Sequence, residues 1–185
     1  MDKELWSALT KGSEQALVNL YERHHEGLYN YGYRLSSNQE ITRDCIQELF
    51  LDLWHKRKQL KSIEYVKAYL HKMLRNKIVD VVKENGKFSF QASFREIQEF
   101  TLSQEDILIL EEYTNEQTLQ LKQALSNLSH RQKEMIFLRF YSELSYEDIA
   151  EITSLKYQSI RNLLYEALRN LRKQLLLLFL ILIIQ

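Results

Sequence analysis

Apolar positions in the first third of the chain recur at steps of three and four residues. Leu17, Leu20, Leu28, Tyr31 and Leu35, with His24 among them, form one such stripe, and Ser13 stands where it can cap the predicted helix. The polar cluster Ser36-Ser37-Asn38 ends that helix and starts a second, which runs to Lys56 with Ile41, Cys45, Leu49 and Leu53 inward. A short basic link, KRKQLKSI, follows. Ser62 then opens a third helix, with Val66, Tyr69, Leu70, Met73, Ile78 and Val81 on its inner face. Three helices on short links predict one compact bundle over 1–86.

Beyond Asn85 the period fades, and the stretch GKFSFQASFREIQEF has no clean repeat. Residues 87–117 read as an acidic flexible linker, with a helical patch near 105–113. Helical spacing resumes at Thr118 and predicts helices over 118–127, 130–141, 146–152 and from Lys156 onward. Ser129 with Gln132, and Ser145 with Asp148, have the spacing of capping boxes and fix two of these starts. The second module spans 118–174, and 175–185 form an apolar tail. As a helix, the run from Leu175 to Ile184 reaches about 15 Å, near half of a bilayer core of roughly 30 Å. Its apolar surface needs a cover.

Composition strengthens the all-α reading. The chain of 185 residues has no proline and four glycines, so only polar clusters punctuate its helices. One cysteine, Cys45, excludes an internal disulfide framework and a cysteine zinc site, and is expected to pack as a small apolar group. The first residues, MDKELWSALTKGSEQ, lack an apolar signal core, so the expected location is cytoplasmic. Net charge is zero, from 25 basic and 25 acidic residues. That balance is a cancellation. From Lys56 to Lys87 ten basic residues face three acidic ones, whereas from Glu96 to Thr118 seven acids stand with no Lys or Arg.

Three stretches carry candidate chemistry. The segment ELSYEDIAEITSLKYQSIRNLLY reads as a helix-turn-helix, with Ile149, Ala150, Ile152, Ile160, Leu163 and Leu164 packing its two helices. Its second helix presents Lys156, Gln158, Ser159, Arg161, Asn162 and Tyr165, side chains that can meet phosphates and base edges. An ordinary helical hairpin for protein contacts has the same pattern. On the second predicted helix, Asp44, Gln47, Glu48 and Leu51 share a mixed acidic and apolar face suited to a partner helix carrying arginines, or simply to solvent. The basic link and third helix interleave cations with aromatic and polar groups (Lys58, Lys61, Tyr65, Lys72, Arg75, Asn76, Lys77), which suits unpaired bases and their phosphates. A solvated basic helix is the plain alternative. For catalysis the chain offers one Glu-x-x-His at Glu22 and His25, where a di-iron bundle needs two plus further carboxylates. No phosphate loop or nucleophile elbow is present. No enzyme activity, metal or cofactor is expected.

These stretches occur in a telling order: Asp-x-x-Gln-Glu-x-Phe-x-x-x-Trp, then Arg75-Asn76 with Asp80, then Leu-Ser-Tyr-Glu-Asp-Ile-Ala. Over roughly 16–175 the chain resembles bacterial RNA polymerase sigma factors of the extracytoplasmic-function group. The resemblance implies two small helical domains, a three-helix sigma domain two and a helix-turn-helix sigma domain four, joined by the linker. It places Asp44, Gln47, Glu48, Phe50, Leu51 and Trp54 against the clamp helices of the largest polymerase subunit. It assigns the loop Lys58 to Ile63, with Lys58, Lys61, Ser62 and Ile63, to capture of a flipped minus-ten base, with Tyr65, Lys72, Arg75, Asn76 and Lys77 beside it as minus-ten contacts. Lys156, Gln158, Ser159, Arg161, Asn162 and Tyr165 fall where the family reads the minus-thirty-five element.

The expected function is therefore promoter-directed initiation with core RNA polymerase, on double-stranded and melted DNA. Leu168, Leu171 and Leu175 continue the reader helix toward the flap of the second-largest subunit, with an inhibitory anti-sigma partner or a membrane surface as rivals for the tail. Two other readings stand beside this one: a polymerase-binding adaptor whose DNA site is chosen by a separate DNA-targeting partner, and a stand-alone helix-turn-helix regulator.

Overall fold

The structure, a computed structural model, describes residues 1–84 and 123–184; the side chains of Glu84 and of 174 onward lie outside that description. The expected linker, 87–117, and the first half of the helix expected over 118–127 also fall outside it, while 123–126 are helical as expected. The chain divides into two compact units.

Among the described residues four helices build the first unit, one more than the periodicity predicts. They are α1 (Asp2–Thr10), α2 (Glu14–Ser36), α3 (Gln39–Lys56) and α4 (Val66–Glu84). Helix α1 is short and its apolar content is modest, yet Trp6 and Leu9 are buried and it packs on α2. The chain turns from α1 into α2 at Gly12, whose φ of 96° lies in the left-handed region. Ser13 caps α2 as expected, its hydroxyl accepting from the Ala16 amide at 3.2 Å. Ser37, at φ 51°, then ends α2 in a left-handed turn, and the Asn38 side chain accepts the Glu40 and Ile41 amides to begin α3.

The core of this unit is the common inner face of α2, α3 and α4. Leu20, Leu28, Tyr31, Leu49, Leu53, Leu70 and Leu74 are all fully buried. Cys45 is buried among apolar groups, and burial pushes its thiol up to about 11. Gly32 sits at the crossing, where an added Cβ would meet Thr42, Ile78 and Leu74 within 3.0–3.2 Å. The absent side chain lets the three helices approach.

The third predicted helix starts later than its sequence suggests. After α3 a single 3-10 turn covers Arg57–Gln59, Leu60 turns extended, and regular helix begins only at Val66. Ser62 is therefore a loop residue, not a cap.

In the second unit, α5 (His130–Ile136) leads into a π-helical turn (Phe137–Tyr141), followed by α6 (Tyr146–Thr153) and α7 (Tyr157–Ile184). Both predicted capping boxes form. Ser129 and Gln132 exchange bonds at the head of α5. At the head of α6 the Asp148 amide donates to Ser145 Oγ, and the Ser145 amide donates to Asp148 Oδ2, each at 3.1 Å. Met135, Leu138, Ile149, Ile160, Leu164 and Ala167 are buried. Ala150 and Leu163, expected to pack, are only half-buried. The turn between α6 and α7 lacks the glycine such turns favour. Ser154 takes the left-handed conformation instead, at φ 57°.

Candidate polymerase and nucleic-acid interfaces

Helices α2 and α3 leave an apolar groove of about 690 Å³ between their outward faces. From α3 it is lined by Arg43, Ile46, Gln47, Phe50, Leu51 and Trp54, and from α2 by Glu14, Leu17, Val18, Tyr21 and His25. Gln47, Leu51 and Trp54 were expected at a partner surface, and the fold brings them together here. Phe50 is different. Its ring is 6% exposed and meets Tyr21 edge-on at 5.1 Å, so it forms the floor of the groove and not its rim. Exposed Leu51 and Val18 face solvent on opposite walls. The α2 wall was missed by sequence reasoning. Its signal was there: Glu14, Val18, Tyr21 and His25 follow three-and-four spacing, offset from the buried stripe, while Leu17, expected on that stripe, is half-buried at the groove. Tyr21, His25, Tyr29 and Tyr33 then continue it as a ladder of ring contacts.

The two acidic residues expected at the partner face part company. Asp44 and Glu48 are both exposed, and Glu48 joins Asp52 in reaching α4. Lys77 Nζ lies 3.3 Å from Glu48 and 2.8 Å from Asp52. Burial draws the Lys77 ammonium down, but its bonds and charge contacts with Asp52 and Glu48 outweigh that and leave it raised. The hydrogen bond from Lys77 in turn holds the Asp52 carboxyl below the usual range.

Beside this face, residues 57–65 form the loop that precedes α4. Lys58, Lys61, Ser62 and Tyr65 are exposed, Tyr65 at 59%, and Ile63 is half-buried. On α4, Lys72, Arg75 and Asn76 fall within one turn of each other and share a face, whereas Lys77 turns back to α3. The loop's entry is fixed by Arg57, whose guanidinium stacks over Trp54 at 4.0 Å and donates to the Trp54 carbonyl. One residue, Trp54, thus belongs to both the groove and the root of the loop.

In the second unit the head of α7 is the exposed element. Lys156 ends the turn, and its carbonyl accepts the Ser159 and Ile160 amides. Gln158, Arg161, Asn162 and Tyr165 are exposed, and Gln158 donates to Asn162 at 3.0 Å across one turn. Ser159 is half-buried, so it lies at the edge of this face. Tyr157, not foreseen, is 44% exposed and packs on Tyr146, which Arg139 overlies. An amphipathic helix whose amino end bears cations, amides and planar polar groups is equipped for phosphates and base edges. Leu168 is 45% exposed and Leu171 half-buried farther along α7. Leu175 lies beyond the described side chains.

Residues 20–88 match the family described as Sigma-70 region 2, and residues 118–171 match Sigma-70, region 4. The chain belongs to the sigma-70 family of RNA polymerase sigma factors. Within that family it falls in the extracytoplasmic-function group. It is similar to RNA polymerase sigma factor SigV of Bacillus subtilis, 26% identical over 86% of this chain and 90% of that protein. It is also similar to ECF RNA polymerase sigma factor SigE of Mycolicibacterium smegmatis, 23% identical over 84% of this chain and 60% of the other. Among solved structures, CnrH in complex with the cytosolic domain of CnrY shares the fold, with a TM-score of 0.63 at 17% identity, covering 94% and 96% of the two chains. The sigma factor RpoE of Bartonella quintana, solved with the anti-sigma factor NepR, aligns with a TM-score of 0.57 at 25% identity, over 85% of this chain and 94% of that one. This sigma factor therefore binds core RNA polymerase and promoter DNA, and directs the one to the other.

Proposed function

We propose that the groove between α2 and α3 seats this sigma factor on the clamp helices of the largest polymerase subunit. The observation that carries the reading is the junction at Trp54. An apolar groove able to hold a partner helix ends in the residue that roots a loop of exposed cations and an exposed aromatic. Polymerase docking and strand capture then share one rigid body. Lys58, Lys61, Ser62, Ile63 and Tyr65 receive an extruded minus-ten base, while Lys72, Arg75 and Asn76 follow the strand. The head of α7, from Lys156 to Tyr165, reads the minus-thirty-five duplex. Leu168, Leu171 and Leu175 carry α7 toward the flap of the second-largest subunit, and an anti-sigma partner competes for these surfaces.

The zero net charge fits this division of labour. Polymerase supplies most phosphate contacts, so the isolated chain is expected to bind promoters weakly, with a shallow salt slope. Val18→Asp and Leu51→Asp each place a charge on one wall of the groove. Both are expected to abolish co-migration with core polymerase on a sizing column while leaving the helical circular dichroism intact. Normal co-migration of both variants would refute the seat. Truncation after Gln174 is expected to weaken assembly, and unchanged assembly would release the tail from this role.

A further inference from the structure

We propose that α1 is a positioning element for the base-capturing loop, acting through Trp6; the inference rests on the strand-capture reading above. Helix α1 precedes the region that matches the sigma-70 family, which begins at residue 20. Nothing in the motifs gives it a task.

Its contacts do. The Trp6 side chain is 2% exposed, and its indole Nε1–H donates to the Lys61 carbonyl at 3.0 Å. The same ring stands edge-on to Tyr69 in the first turn of α4, with centroids 5.2 Å apart. Lys3, one turn earlier on α1, pairs with Glu64 at 3.1 Å. One helix thus grips the loop at two points three residues apart, and rests on the helix that follows it. The other side of α1 is anchored to α2: Asp2 lies 2.6 Å from Arg23 and 3.0 Å from His24 Nε2.

The loop needs such a grip. Lys61 lies between the 3-10 turn and α4, where no helical ladder takes its carbonyl, and the Trp6 indole supplies a donor. With the backbone held at 61 and the Glu64 side chain tied to Lys3, the exposed side chains of Lys61, Ser62 and Tyr65 are presented in a fixed frame. A loop ordered before binding avoids the entropy loss of ordering on DNA. Trp6 itself is buried and touches no base. It is a positioning residue.

The test compares holoenzymes made with wild-type chain and with Trp6→Phe, which keeps an aromatic ring against Tyr69 and removes the donor. A single-stranded DNA is first selected from a random pool by wild-type holoenzyme. An abasic scan of that strand then finds the position where loss of the base weakens binding most. Wild type without such a position would sink the strand-capture reading itself, independently of α1. Given such a position, Trp6→Phe is expected to lose roughly fivefold in affinity for the intact strand and to bind the abasic strand as wild type does. Equal loss on both strands, or none on either, overturns the proposal. A second protein carrying benzothienylalanine at position 6, which exchanges only the N–H for sulfur, repeats the measurement with the bicyclic volume retained, should the phenylalanine variant fold poorly.

Discussion

Lys77 and Asp52 meet at 2.8 Å across the α3–α4 interface, so a cation placed by its sequence among DNA-binding residues is committed to a carboxylate of its own domain. The Lys77 side chain is only 22% exposed. Lys77→Gln is therefore expected to leave the salt slope of promoter binding by holoenzyme nearly unchanged. Lys58→Gln, on the exposed loop, is expected to lower it by about 0.7 for a melted strand. Measuring log affinity against log salt for both variants decides the point; equal drops would return Lys77 to the DNA face.

The same pair makes a prediction about acid. The folded Asp52 carboxyl is depressed, so its contribution is complete above the unfolded value of about 3.9 and is lost as pH falls through the folded value. The folded Lys77 ammonium is raised, so its contribution is complete below about 10.4 and is lost only as pH rises beyond that. Between those limits the pair is flat in pH. Its worth is of the order of 1 kcal/mol or less, because Asp52 is a third exposed. Lys77→Met should narrow the gap in urea midpoint between pH 7 and pH 3.

His71 acts in the opposite sense to a stabilising ion pair. Burial pushes its imidazole down to about 4, while its Nδ1 sits 2.8 Å from the Lys67 carbonyl and its Nε2 has no hydrogen-bond partner among the described residues. The unfolded ring takes a proton near pH 6.5 and the folded ring resists it, so stability falls as pH drops from about 6.5 toward 4. His24, also buried and also lowered, adds to the slope. His71→Phe should flatten the dependence of unfolding midpoint on pH across that window. An unchanged slope would show that the ring is protonated without cost.

Gly32 is expected to tolerate nothing larger. A Cβ there meets Thr42 Cγ2 at 3.0 Å, Ile78 Cδ1 at 3.1 Å and Leu74 Cδ2 at 3.2 Å, from two neighbouring helices. Alanine gains up to about 1 kcal/mol of helix propensity, but overpacking a filled core costs about 1–3 kcal/mol. The contacts are close on both sides, so crowding wins. Chemical denaturation should find Gly32→Ala destabilised by about 1 kcal/mol.

Ser154 offers the reverse case. It holds a left-handed conformation that costs a non-glycine residue roughly 1–2 kcal/mol. Ser154→Gly should relieve part of that and raise the melting temperature by a few degrees. Ser154→Val, stiff and branched, should lower it.

Much of this architecture was legible because it is written locally. Ser13, Ser129–Gln132 and Ser145–Asp148 cap helices through residues three positions apart, and those starts match the structure. Ser62 misled because a serine before an apolar stripe looks like a cap wherever it stands. Here the helix begins only at Val66, and the Lys61 carbonyl in the loop is taken by Trp6 of α1, remote in sequence. Phe50 was legible as a groove residue but not as its floor, because the covering ring, Tyr21, comes from α2.

The sequence by itself determined an all-helical chain, the helix-turn-helix of α6 and α7, the buried stripes of α2 and α3, and the separation of basic from acidic segments. Each follows from spacing within a few residues along one helix. Only the tertiary structure decided which outward faces combine. The pairing of α2 with α3 into a groove, the capture of Lys77 by Asp52 and the hold of Trp6 on Lys61 join residues that are distant along the chain. Such contacts depend on how helices cross, and a helix's own period carries no record of what lies across from it.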